Sequence, residues 1–134
     1  MDPQVPLVVP EVNAKAIADR PKGIIANPNC STIQMVVALQ AVRRAAGLVR
    51  VIATTFQSVS GAGETGRDAL RHELAGEQGG GSPFSRGIAG NVIPQIGDFD
   101  EEGWTGEERK MINETRKILS LPDLPVAATC VRVP

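Results

Sequence analysis

The sequence predicts an α/β fold, and three stretches carry that prediction. Residues 48–57, "LVRVIATTFQ", alternate in the way a strand does, with Val49, Val51, Ala53, Thr55 and Gln57 on one face and Leu48, Arg50, Ile52, Thr54 and Phe56 on the other. Residues 31–46 place Ile33, Val36, Val37, Leu39, Ala41 and Val42 at helical spacing. "LPVAATCVRVP" alternates again up to Pro134.

Taken in order, "VPLVVPEVN" offers a short apolar strand from Pro6 to Val9, closed by Pro10. "AKAIADRPKG" allows a helical turn before Pro21, and "GIIA" reads as a brief buried strand. The helix from Ser31 to Ala46 is expected to pack on much of its circumference and meets a natural stop at Gly47. The strand that follows it runs into a glycine-bearing turn, Ser60 to Gly63, and "ETGRDALRHELAGE" has the pattern of an amphipathic helix. Glycines and a proline mark "QGGGSPFSRG" as a mobile loop, and "IAGNVIPQIGDF" reads as partly extended. Thr105 with Glu108 has the form of a capping box, opening a helix that ends before Pro122.

Composition excludes several functions. The 134 residues fit one ordinary domain, and 42% hydrophobic content builds a core without disulfide staples. Fourteen Lys and Arg against fifteen Asp and Glu leave a net charge of −1, which gives nucleic acid or an anionic membrane no basic footprint. No apolar run approaches the roughly 20 residues that span a bilayer, and the start "MDPQVPLVVPEV" lacks a basic signal region, so the cytoplasm is the expected compartment. Tyrosine is absent and aromatics reach only 3%, which argues against stacking platforms for bases. Cys30 and Cys130 are expected as free thiols.

Cys30 has two readings. Free cysteine is among the most buried residue types, so a small core hydrophobe is the plain one. Asn27, Pro28 and Asn29, however, form a polar turn at a helix start, where the helix dipole favours a thiolate and unpaired amides can hold an oxyanion. Gln57 alone is a polar strand tip, and "SVSGAG" alone only permits tight backbone. Glu107 and Lys110 share a helix face, where a surface ion pair is the simple account. Arg132 suits either a carboxylate clamp or a structural pair. His72, the only histidine, lies among charges and reads as solvated rather than as a general base, and no metal-ligand spacing appears.

In order and spacing, "PLVVPEVN", "IIANPNCST", "FQSVSGAG", "NVIPQI", "ERKMINETRKIL" and "ATCVRVP" together resemble the aspartate-semialdehyde dehydrogenase family. The resemblance implies the end of a Rossmann-type NADP-binding domain, residues 1–28. A partial mixed-sheet catalytic and dimerisation domain like that of glyceraldehyde-3-phosphate dehydrogenase would follow over residues 29–134. It makes Cys30 the nucleophile that forms a thioester, with Asn29 beside it orienting substrate or phosphate. Gln57, Glu107, Lys110 and Arg132 become substrate-binding, Glu107 for the amino group, Lys110 for phosphate and Arg132 for the carboxylate; Ser60 and Gly61 would lie at the nicotinamide end of NADP.

The reaction implied is NADPH-dependent conversion of aspartyl phosphate to aspartate semialdehyde, in lysine, threonine and methionine biosynthesis, by a homodimer. Two alternatives stand beside it: a non-catalytic dimerisation module derived from that enzyme, and a relative of the N-acetyl-glutamyl-phosphate reductases.

The sequence departs from the family at three places. The glycine fingerprint of a Rossmann unit would precede residue 1, and the catalytic histidine would follow Pro134. Within "SRGIAGNVIPQI", Gly87 stands where the family commonly has proline, and Gly90 where it has a bulky residue. The chain therefore reads as a middle segment, roughly a third to two-fifths of a two-domain enzyme. By itself it is expected to be feebly active, since losing general acid–base help removes about 10²- to 10⁴-fold in rate.

Overall fold

A computed structural model describes residues 2–77 and 81–134. Residues 78–80 of the expected glycine loop lie outside the described residues. The elements run α1 (Pro10–Asn13), a 3-10 turn (Ala14–Ala18), α2 (Cys30–Ala46), β1 (Val51–Ser58), a second 3-10 turn (Val59–Ala62), α3 (Gly63–Ala75), α4 (Gly106–Leu119) and β2 (Val126–Val133).

The two strands pair with each other. Val51 N donates to Pro125 O (2.9 Å) where they begin, and Arg132 Nη1 donates to Ser58 O (2.8 Å) where they end, so they run in parallel. Ile93 adds an antiparallel bridge to Arg132, which makes the arrangement mixed. The odd-numbered residues of β1 turn inward, while Ile52 and Phe56 on its even face are each 70% exposed.

The chain forms two compact units. The first comprises Met1–Ala53 and Arg109–Ala127. In it the expected strand from Pro6 to Val9 reduces to a single parallel bridge, Leu7 to Ala26, although Leu7, Val8 and Val9 are buried. Asn13 closes this segment, its Oδ1 accepting from Val9 N (2.8 Å) and its Nδ2 donating to Leu7 O (2.9 Å). "GIIA" is a correction: Ile24 is 55% and Ile25 44% exposed, because one bridge at Ala26 leaves both side chains outside the packing. A second correction concerns α2, on which only Thr32 and Val36 are buried. Its stop is as expected, Gly47 taking φ +79° and donating to Arg43 O (3.0 Å).

Buried Met111, Ile112, Thr115, Ile118 and Leu119 form one face of α4 at helical spacing. The helix ends at Ser120, a non-glycine residue at φ +52°, with Leu121 N donating back to Arg116 O (3.0 Å). Arg43 Nη1 donates to Leu119 O (2.6 Å) and satisfies one of the terminal carbonyls.

The second unit comprises Thr54–Glu108 and Ala128–Pro134. Val59, Ile88 and Ile93 form its apolar centre, with Leu70 and Phe84 packed against them. Gly66 lets α3 sit on the preceding turn, since a Cβ there would lie 2.4 Å from Val59 O. Glu73 Oε2 accepts from Ile88 N (2.7 Å) and Ala89 N (2.8 Å), fastening the 84–91 segment to α3. Half-exposed His72 has Nε2 3.9 Å from Glu77 Oε2, at the solvent side of α3.

Candidate active site

Cys30 is exposed and is the first residue of α2. Asn29 caps that helix, its Oδ1 accepting from Ser31 N (2.9 Å) and Thr32 N (3.3 Å). This decides between the two readings of the thiol's position: Cys30 is not a core residue. The amides of Ser31 and Thr32 are taken by the cap. Buried Pro28 anchors the approach to the turn. The Asn29 backbone N–H donates to Glu114 Oε2 (2.8 Å), from the buried face of α4. Lys110 is exposed, one turn earlier on the same helix and in the same unit as Cys30.

The other candidate residues lie in the second unit, where the strand end, the turn after it and the first turn of α4 position them. Gln57 Nε2 donates to Glu107 Oε1 (3.2 Å) and to Thr55 Oγ1 (3.1 Å). Glu107 is buried at the start of α4, where a carboxylate also suits the positive helix end. Arg132 is only 6% exposed. Its Nη1 bonds to Ser58 O, and its guanidinium carbon lies 6.0 Å from the Phe84 ring centre. Gly61 provides room for it, since a Cβ on that residue would fall 2.7 Å from Nη1. Ser60 and Gly61 are exposed within the Val59–Ala62 turn. A cavity of about 420 Å³ opens beside Arg132, between the Phe84–Ser85 and Gln95–Asp98 segments.

A buried staple lies beneath these groups. Glu108 Oε2 accepts from Thr105 N (2.8 Å) and Thr105 Oγ1 (2.9 Å), and its Oε1 accepts from Cys130 N (3.1 Å). Burial pushes the Cys130 thiol above its ordinary value against a hydrogen bond from the Thr55 side that lowers it, and the Glu107 and Glu108 charges add to the rise.

Sequence reasoning paired Thr105 with Glu108 but missed the bond to β2. Glu114 lies within "ERKMINETRKIL", and no local motif assigns it a role. The one available signal was an acid on the buried stripe of α4, three and four residues from Met111 and Ile118.

The chain is a mixed α/β protein with an exposed cysteine at a capped helix start, a buried acid bonded to a part-buried amide, and a buried arginine. Residues 39–134 match the family described as semialdehyde dehydrogenase, dimerisation domain, and the chain belongs to that family. It is 50% identical to aspartate-semialdehyde dehydrogenase of Aquifex aeolicus, over 100% of this chain and 41% of that protein. Aspartate semialdehyde dehydrogenase II of Vibrio cholerae, complexed with ASA, superposes with a TM-score of 0.92 at 52% identity, over 99% of this chain and 41% of that one. The Candida albicans enzyme with NADP matches at TM-score 0.61 and 28% identity, over 98% of this chain and 36% of that one. The chain thus spans about two-fifths of the length of these relatives, and its mixed fold is theirs.

Proposed function

We propose that the chain is the part of an aspartate-semialdehyde dehydrogenase that carries the nucleophile and the substrate-binding groups. The observation that carries this reading is the exposed Cys30 at the Asn29-capped start of α2, in a chain half identical to enzymes of that name. Cys30 attacks the acyl carbon of aspartyl phosphate; the C–O bond to phosphate breaks as the C–S bond forms, and phosphate leaves. Asn29 and Lys110 attend the phosphate, Glu107 receives the substrate ammonium, Gln57, bonded to Glu107, offers its amide to the substrate near the thioester, and Arg132 grips the substrate carboxylate.

NADPH, when bound, supplies the hydride that reduces the thioester. The exposed Ser60–Gly61 backbone fits its nicotinamide end, and the space a Gly61 Cβ would need is held by Arg132. Residues 1–28 belong to the cofactor-binding side and 29–134 to the catalytic and dimerisation part. The functional form is a homodimer in the cytoplasm.

Acyl transfer is tested without NADPH. Incubation with aspartyl phosphate should leave a hydroxylamine-labile aspartyl group on the Cys30 peptide, detected by mass spectrometry and absent from Cys30→Ser. A chain whose Cys30 accepts iodoacetamide yet never carries that acyl group refutes the reading.

A further inference from the structure

We infer that Glu114 is a positioning residue for the Cys30 turn, an inference that rests on the reading of Cys30 as nucleophile. Glu114 is 8% exposed, and burying a carboxylate is costly unless its oxygens are bonded. One of them accepts the backbone N–H of Asn29 at 2.8 Å, across 85 residues of sequence. That amide belongs to the residue whose side chain caps α2 and whose neighbour is the sulfur-bearing residue.

The cap cannot fix the turn alone. Asn29 Oδ1 reaches forward, to Ser31 and Thr32. Its backbone has φ −56° and ψ 139°, outside the helix, so the helical ladder does not hold the Asn29 N–H. Glu114 supplies that constraint from the packed face of α4, flanked by fully buried Met111, Thr115 and Ile118. Cys30 itself is exposed and directly follows the capping Asn29. The chain of contacts is therefore core to Glu114, Glu114 to the Asn29 amide, and Asn29 to the first turn that presents the thiol.

The test is the alkylation rate of Cys30 by iodoacetamide at neutral pH in the folded chain, together with acyl transfer from aspartyl phosphate. Glu114→Gln keeps an oxygen acceptor at the same reach and should hold both rates within about twofold of the unaltered chain. Glu114→Asp keeps the charge but retracts the acceptor by one methylene, and Glu114→Ala removes it. Both should slow acyl transfer by about tenfold or more, as displacements near 1 Å at a reacting group do. Circular dichroism and thermal unfolding select variants that remain folded; where Glu114→Ala does not, the Asp and Gln pair decides.

Equal rates in Glu114→Asp and the unaltered chain overturn the inference, as does a Glu114→Gln loss as large as that of Glu114→Asp. An unaltered chain with no acyl transfer at all instead refutes the reading of Cys30, and is distinguished by its normal alkylation.

Discussion

Cys30 and Cys130 differ in surroundings more than in sequence context. Cys130 is fully buried, with its thiol raised by loss of solvent, whereas Cys30 is exposed. Iodoacetamide should therefore modify Cys30 and spare Cys130 until the chain unfolds, which peptide mapping after timed quenching will show. The raised thiol also fixes a pH dependence. Below the ordinary value of 9.0 both folded and unfolded chains hold the proton, and stability is unaffected. Between that value and the higher folded one the unfolded chain releases its proton first, so stability falls as pH rises. Urea titrations at increasing pH should show this loss, and Cys130→Ala should reduce the alkaline slope.

Gly61 gives a second residue-scale prediction. Its backbone lies outside the left-handed region, so alanine is conformationally allowed, yet the new Cβ would sit 2.7 Å from Arg132 Nη1. The guanidinium must leave Ser58 O, and a hydrogen bond to a charged group is worth about 1.5–3 kcal/mol. Gly61→Ala should lower the unfolding free energy by about that amount, measured in urea.

At the scale of elements, the start of α4 is held by Glu108 through three hydrogen bonds, one to β2. Glu108→Ala removes the capping-box partner and strands the buried Cys130 N–H, so it should cost about 1.5–3 kcal/mol, with Thr105→Ala nearer 1 kcal/mol. Chemical denaturation of the two variants tests the ranking.

The elements themselves were legible because their signals are local. The capping box, Gly47 after α2 and the alternation of β1 and β2 each announce structure within a few residues. "GIIA" failed as a buried strand because pairing depends on a distant partner, and a single bridge at Ala26 is all it receives. The apolar side chains of α2 misled for a related reason: periodicity marks a face suited to burial, but what covers it lies elsewhere. At the site, the place of Cys30 at a helix start could be read locally, whereas the Asn29–Glu114 bond joins residues no local pattern connects.

For the whole molecule, the family match to a dimerisation domain and the exposed Ile52 and Phe56 of β1 bear on self-association. Apolar side chains so exposed on one strand face are candidates for cover by a second copy. Sedimentation equilibrium should find dimers, and Ile52→Lys with Phe56→Lys should shift them to monomers; a monomeric unaltered chain at high micromolar concentration would refute the homodimer proposal.

The parallel pairing of β1 with β2 also dictates a timetable. Everything from residue 59 to residue 125 is synthesised between the two strands, so a nascent β1 leaves the ribosome long before its partner exists. Until then its backbone donors and acceptors stay unpaired, which makes vectorial synthesis an interval of aggregation hazard.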